Sequence, residues 1–73
     1  MLLGIDSDKN IKFIFTDEGY LKKKYPKNSA KVSDFWKFDH GLAEVFLSQD
    51  EFPDYRNWQN YKIIDGKVVK NAE

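Results

Sequence analysis

The chain has 73 residues, no cysteine, and a formal net charge of zero from 12 basic and 12 acidic side chains. The lack of cysteine excludes disulfides, thiolate metal centres and a cysteine nucleophile, and no apolar run approaches the roughly 18 residues of a membrane-spanning helix. A single domain of this size buries only about 60% of the surface its unfolded chain exposes, so its core leans on twelve aromatic residues, each worth roughly 150 to 250 Å² of burial.

In chain order, Met1 to Asp6 lacks a basic leader and meets an aspartate too early to form the apolar centre of a signal sequence. The opening Met1 suggests a complete small open reading frame. Residues 2 to 6 and 11 to 16 read as two strands, because Ile11, Phe13 and Phe15 alternate with Lys12, Ile14 and Thr16, and Ser7 to Asn10 is turn chemistry. Thr16 or Asp17 can cap a short helix reaching Tyr25, with Leu21 and Tyr25 on one face and Pro26 ending it. Residues 27 to 31 form a polar connection. Ser33 or Asp34 can then cap a brief helical turn carrying Phe35, Trp36 and Phe38, which ends near His40 and Gly41.

Residues 42 to 47 fit either period; the short run ending at Ser48 favours a strand. Asp50 can cap a helix from Glu51 to Trp58, with Pro53 in its tolerated first turn and Phe52, Tyr55 and Trp58 at helical spacing. Tyr61 to Lys70 holds the clearest signal of all. Asp65-Gly66 between two β-branched runs predicts a hairpin with a type I′ turn, whose central residues both need positive φ. Asn71 to Glu73 is a frayed end. The predicted fold is α+β: a small single domain with antiparallel β-hairpins at both ends and short helices between.

Candidate chemistry is sparse. Asp6-Ser7-Asp8-Lys9-Asn10 imitates the start of a calcium loop, but Ile11 stands where an EF-hand needs glycine, and these residues serve a hairpin turn equally well. His40 beside Asp39 has no nucleophile to activate, since Ser7, Ser29, Ser33 and Ser48 sit in turn or cap contexts and no G-x-S-x-G elbow exists. Neither a metal nor any other cofactor is expected, and the chain is read as a non-enzyme.

Charge distribution says more than net charge. Residues 19 to 33 carry Lys22, Lys23, Lys24, Lys27 and Lys31 without an acid, whereas residues 34 to 54 carry Asp34, Asp39, Glu44, Asp50, Glu51 and Asp54 against Lys37 alone. Complementary segments of this kind steer protein partners, including other copies of the same chain. Nucleic acid is disfavoured by the zero net charge, by the single arginine, Arg56, and by the lack of a glycine-rich phosphate loop. Most rings at helical spacing belong in a core, while two or three are expected at the surface, where exposed aromatics favour a partner interface. Trp36 is the first choice, since Phe35 and Phe38 can face inward while it points elsewhere. The expected protein-binding residues are therefore Lys22, Lys23, Lys24, Lys27, Lys31, Trp36, Asp50, Glu51, Asp54, Tyr55 and Trp58.

Tyr61-Lys62-Ile63-Ile64-Asp65-Gly66-Lys67-Val68-Val69-Lys70 resembles the closing hairpin of small proteins from bacteriophage tail and virion-assembly modules, and Gly4-Ile5-Asp6 through Phe15 is similar to their opening hairpin. The resemblance covers about a third of the chain and transfers no catalytic residue. It implies a phage or prophage accessory protein of the virion or host cytoplasm, acting by protein–protein binding as a minor virion (tail) structural or assembly component. The alternative it leaves is a phage-encoded inhibitor of a host enzyme or defence complex.

Overall fold

Leu2–Ile5 (β1) is buried along its whole length because both of its faces are covered. It is the middle strand of a three-stranded antiparallel sheet, flanked by Ile11–Phe15 (β2) on one side and Ala43–Phe46 (β3) on the other. A computed structural model describes residues 1–36 and 41–71 of the chain. The expected roles of Lys37, Phe38, the Asp39–His40 pair and the last two residues lie outside the described residues.

The sheet's two faces carry separate cores. Leu3, Ile5, Ile14 and Val45 belong to one face, where Met1, Ile11, Leu47, Phe52 and Ile63 complete the buried cluster. Leu2, Phe13, Phe15 and Phe46 belong to the other, packed with Leu21, Ala30 and Val32. Complete burial of aliphatic side chains such as Leu2 and Leu3 contributes about 1.5 to 3 kcal/mol each. Gly4 occupies the second face in close quarters: an added Cβ would lie 3.0 Å from Leu42 and 3.1 Å from both Phe13 and Val32.

On that second face lies Glu18–Lys24 (α1), capped by Asp17, whose Oδ1 accepts from the Tyr20 amide at 3.0 Å. Glu18 in its first turn and Lys22, Lys23 and Lys24 in its last complement the helix dipole. The next helical piece, Val32–Asp34, is a 3₁₀ turn rather than a helix carrying the aromatics. Its start is fixed by the Lys31 amide donating to Asp34 Oδ2 at 2.9 Å.

The first face is covered by the C-terminal third of the chain. The helix expected from Glu51 to Trp58 does not form. Ser48 and Glu51 instead close a reciprocal turn, in which the Glu51 amide donates to Ser48 Oγ at 3.2 Å and Ser48 Oγ donates to Glu51 Oε1 at 3.1 Å. A 3₁₀ segment, Tyr55–Asn60, follows after Asp54. Phe52 is a buried member of the first-face cluster, and Tyr55, Trp58 and Tyr61 pack against it, although the segment kinks at Asn57. Tyr61–Ile64 (β4) and Lys67–Lys70 (β5) then pair as a second, two-stranded antiparallel sheet. Asp65 at φ 53° and Gly66 at φ 76° form the predicted turn.

The architecture is α+β with most of its regular structure in strands. The N-terminal hairpin is extended by the strand expected within residues 42 to 47, β3, which joins β1 from the other side.

Candidate functional site

The two outer strands of the three-stranded sheet are treated differently by the rest of the molecule. Beside β2, Asn10 bridges to Lys62 and the Ile63 amide donates to the Lys9 carbonyl at 3.0 Å. Trp58, Gln59 and Tyr61 line a cavity of about 290 Å³ together with Asn10, Ile11 and Lys12, at the start of β2. Beside β3, among the described residues, the only strand partner is β1.

Hydrogen-bond parity shows which backbone groups of β3 face outward. The Leu47 amide donates to the Met1 carbonyl at 3.0 Å, and the Met1 ammonium donates to the Leu47 carbonyl. Met1 and Leu47 therefore form a closely bonded antiparallel pair, and such pairs recur at every second residue. With Leu3 opposite Val45 and Ile5 opposite Ala43, residues 43, 45 and 47 bond inward to β1. The N–H and C=O groups of Glu44 and Phe46 consequently point away from the sheet.

A groove of about 260 Å³ lies at the end of this edge. α1 contributes Glu18, Leu21 and Lys22, and the end of β3 contributes Phe46 and Leu47. Ser48 and Glu51 close one end. The buried Met1 ammonium also donates to Glu18 Oε1 at 3.1 Å, so that carboxylate is partly engaged within the chain. The groove is amphipathic: an apolar floor rimmed by both signs of charge.

The residues singled out from the sequence are scattered around the molecule. Lys22 and Glu51 meet at the groove, so at this point the basic and acidic segments are neighbours rather than opposite poles. Lys24 is used within the chain. Its ammonium donates to the Tyr20 hydroxyl at 3.0 Å and lies 5.5 and 5.9 Å from the Tyr20 and Tyr25 ring centres. That hydrogen bond, followed by the charges of Tyr20 and Tyr25, holds Lys24 above the ordinary lysine value. Lys23, Lys27, Lys31 and Asp50 are exposed.

Asp54 ties the 3₁₀ segment to β4, accepting from the Tyr61 hydroxyl at 2.6 Å and from Asn57 Nδ2 at 2.7 Å. The Tyr61 bond first, then the Asn57 bond, lowers the Asp54 carboxyl below its usual range, and the same contact raises the Tyr61 hydroxyl. Tyr55 and Trp58 pack against the first-face core. Trp36 does not point away from Phe35. Both rings pack on Phe13, with centres 5.2 Å and 6.4 Å from it, and Phe35 also stacks on Phe15 at 4.2 Å.

Among the described rings only Tyr20, at 40% exposure, lies open at the surface, where two or three had been expected. The Asp6 segment is a turn: Asp6 Oδ1 accepts from the Asp8 and Asn10 amides, both at 2.9 Å. Sequence reasoning did not single out Glu44 and Phe46, whose backbone groups face away from β1. The signal was their place in a short apolar strand with a single charge, but recognising it as an edge requires the pairing order. No protein-family model, curated protein or solved structure matches the chain.

Proposed function

We propose that this chain acts by binding protein rather than by catalysis, as an accessory component of a phage or prophage: a minor virion (tail) constituent or an assembly factor, in the virion or the host cytoplasm. The observation that carries the binding reading is the outer edge of β3, with the backbone groups of Glu44 and Phe46 unused by β1 and an amphipathic groove beside them. An edge of this kind accepts an added strand, with backbone bonds supplying affinity and a neighbouring pocket supplying selectivity. The phage assignment draws on the similarity of the Tyr61 to Lys70 hairpin to those of small virion-module proteins. No described helix is long and apolar enough to cross a membrane.

The test is fractionation of phage particles from a producing host, using chain tagged after residue 73. Recovery of the chain with assembled particles or assembly intermediates, and its loss on Glu44→Pro, supports the reading. Recovery instead in a soluble complex with a host enzyme, with none on particles or intermediates, overturns the virion assignment and replaces it with the inhibitor reading.

A further inference from the structure

We propose that Asp65-Gly66 is a site of spontaneous covalent modification. The turn rearranges through a cyclic imide to an isoaspartyl linkage, and the change loosens the C-terminal hairpin from the core. The proposal stands independently of the protein-binding reading above.

The reaction needs a side-chain carboxyl that the next residue's amide nitrogen is free to reach. Asp65 is the one aspartate of the chain followed by glycine. Both residues are exposed, and a Cβ added to Gly66 would meet nothing within 4 Å, so no side chain shields the attacking nitrogen. In a two-residue turn the ladder bonds run between the flanking residues, here Ile64 and Lys67, which leaves the second turn residue's N–H unused. Among the described residues the Asp65 carboxylate has no hydrogen-bond or ion-pair partner.

The other described aspartates lack this combination. Asp6 Oδ1 already accepts from the Asp8 and Asn10 amides, Asp17 Oδ1 from the Tyr20 amide, and Asp34 Oδ2 from the Lys31 amide. Asp54 is held by Tyr61 and Asn57. Asp8 and Asp50 are exposed, but they precede Lys9 and Glu51, whose side chains crowd the nitrogen that would attack.

The atoms balance with water as the only co-reactant. Once the Asp65 carboxylate has taken a proton from solvent, the Gly66 nitrogen attacks Cγ and forms the N–Cγ bond. The nitrogen's proton and the carboxyl hydroxyl leave as water, and a five-membered imide closes. Water then reopens the ring. Addition at Cγ restores aspartate, whereas addition at the main-chain carbonyl breaks the original peptide bond and leaves Gly66 joined through Asp65 Cγ. The former main-chain carbonyl becomes the free carboxylate and returns the proton. Mass and charge are unchanged, but the main chain gains one carbon.

That carbon falls where the register of the hairpin is set. Turn type and loop length fix strand pairing, and Asp65 at φ 53° with Gly66 at φ 76° suits a two-residue connection. The buried Ile63 of β4 and Val68 of β5 pack on the first-face cluster together with Tyr61. A lengthened turn therefore disturbs these contacts and leaves the three-stranded sheet paired.

The test is incubation of the full folded chain in heavy-oxygen water at neutral pH over weeks, beside the same chain unfolded in urea. Peptides around each aspartate are separated by chromatography, and isoaspartate is counted with an isoaspartyl methyltransferase. Isoaspartate and heavy oxygen should accumulate at Asp65 ahead of Asp6, Asp8, Asp17, Asp34, Asp50 and Asp54. Asp65→Asn, which keeps a favoured turn pair, reaches the same imide by losing ammonia and should yield the same two products. Asp65→Glu, whose longer side chain does not close the five-membered ring, should lose the conversion, with circular dichroism confirming that it is folded. In the converted chain, amide exchange should accelerate in β4 and β5 and not in β1. No isoaspartate at residue 65 of the folded chain by the time the unfolded chain has converted overturns the proposal, as does conversion there no faster than at Asp8 or Asp50. Conversion with unchanged exchange in β4 and β5 overturns the loosening.

Discussion

The β2 side of the sheet is tied at its start to chain that arrives from fifty residues away, through the Asn10–Lys62 bridge, whereas among the described residues no strand other than β1 pairs with β3. On the β2 side the cover is apolar and cooperative: Trp58 and Tyr61 stand beside the strand, and both pack on a core that includes the fully buried Phe52. On the β3 side the described neighbours are a groove with a hydrophobic floor and the charged rims Glu18, Lys22 and Glu51. The contrast shows where the chain spends its C-terminal apolar material: it anchors the second hairpin against the start of β2.

The largest effect should come from removing the cover. Phe52 is 1% exposed and meets Tyr61 edge-on, with ring centres 5.1 Å apart. Phe52→Ala should cost about 3 to 5 kcal/mol in denaturant unfolding, and amide exchange should accelerate in β2 and β4 before it does in α1. A loss below about 1 kcal/mol would mean that the closed edge does not depend on this core.

Gly4→Ala probes the central strand that both edges share. Its new methyl would press on Leu42, Phe13 and Val32, and about 1 to 3 kcal/mol of stability should be lost through overpacking. Denaturation midpoints measure this, and a neutral result would show that the second face is loosely packed.

Gly66→Ala acts on the hairpin alone. At φ 76° the added Cβ should cost about 1 kcal/mol. The pairing of β4 with β5 should weaken while the protection of β1 is unchanged, read by amide exchange; an equal loss in both sheets would contradict the separation of the two.

The smallest effect is electrostatic. Asp54 has a folded value below its unfolded one, so its contribution is complete above the unfolded carboxylate value and is lost as pH falls through the folded value. Tyr61 has a raised folded value, so its contribution is present below the unfolded tyrosine value and disappears as pH rises through the folded one. Asp54→Asn should flatten the acid-side loss of thermal stability relative to wild type. An identical acid-side slope in the two proteins would contradict the Asp54–Tyr61 account.

The sequence carried the local signals well and the pairing order poorly. Asp65-Gly66 specified its own turn, Asp17 capped α1, and residues 11 to 15 became the expected strand β2, although a bulge puts Ile11 on the first face and Phe13 and Phe15 on the second. Each depends on a few neighbouring residues. The Leu2-Leu3-Gly4-Ile5 run lacks alternation, which is the pattern of a strand covered on both faces. Read as one half of a hairpin, it concealed the central strand and hence the identity of the edges. The failed helix at 51 to 58 has a comparable cause. Ser48-Gln49-Asp50-Glu51 has the S-x-x-E pattern of a reciprocal cap, and it closes a turn that no α-helix continues; the chain resumes as a kinked 3₁₀ segment only at Tyr55. The site was the least legible part, because Glu44 and Phe46 gain their significance only once β1 has taken the other side of their strand.

The central claim, that Glu44 and Phe46 turn their backbone groups away from β1, is tested most directly by residue-resolved amide hydrogen exchange in dilute protein. In the dilute monomer, Val45 and Leu47 should be protected through β1 while Glu44 and Phe46 exchange rapidly. Equal protection of all four amides in the dilute monomer would contradict the account, because it would show that the chain already covers this edge itself.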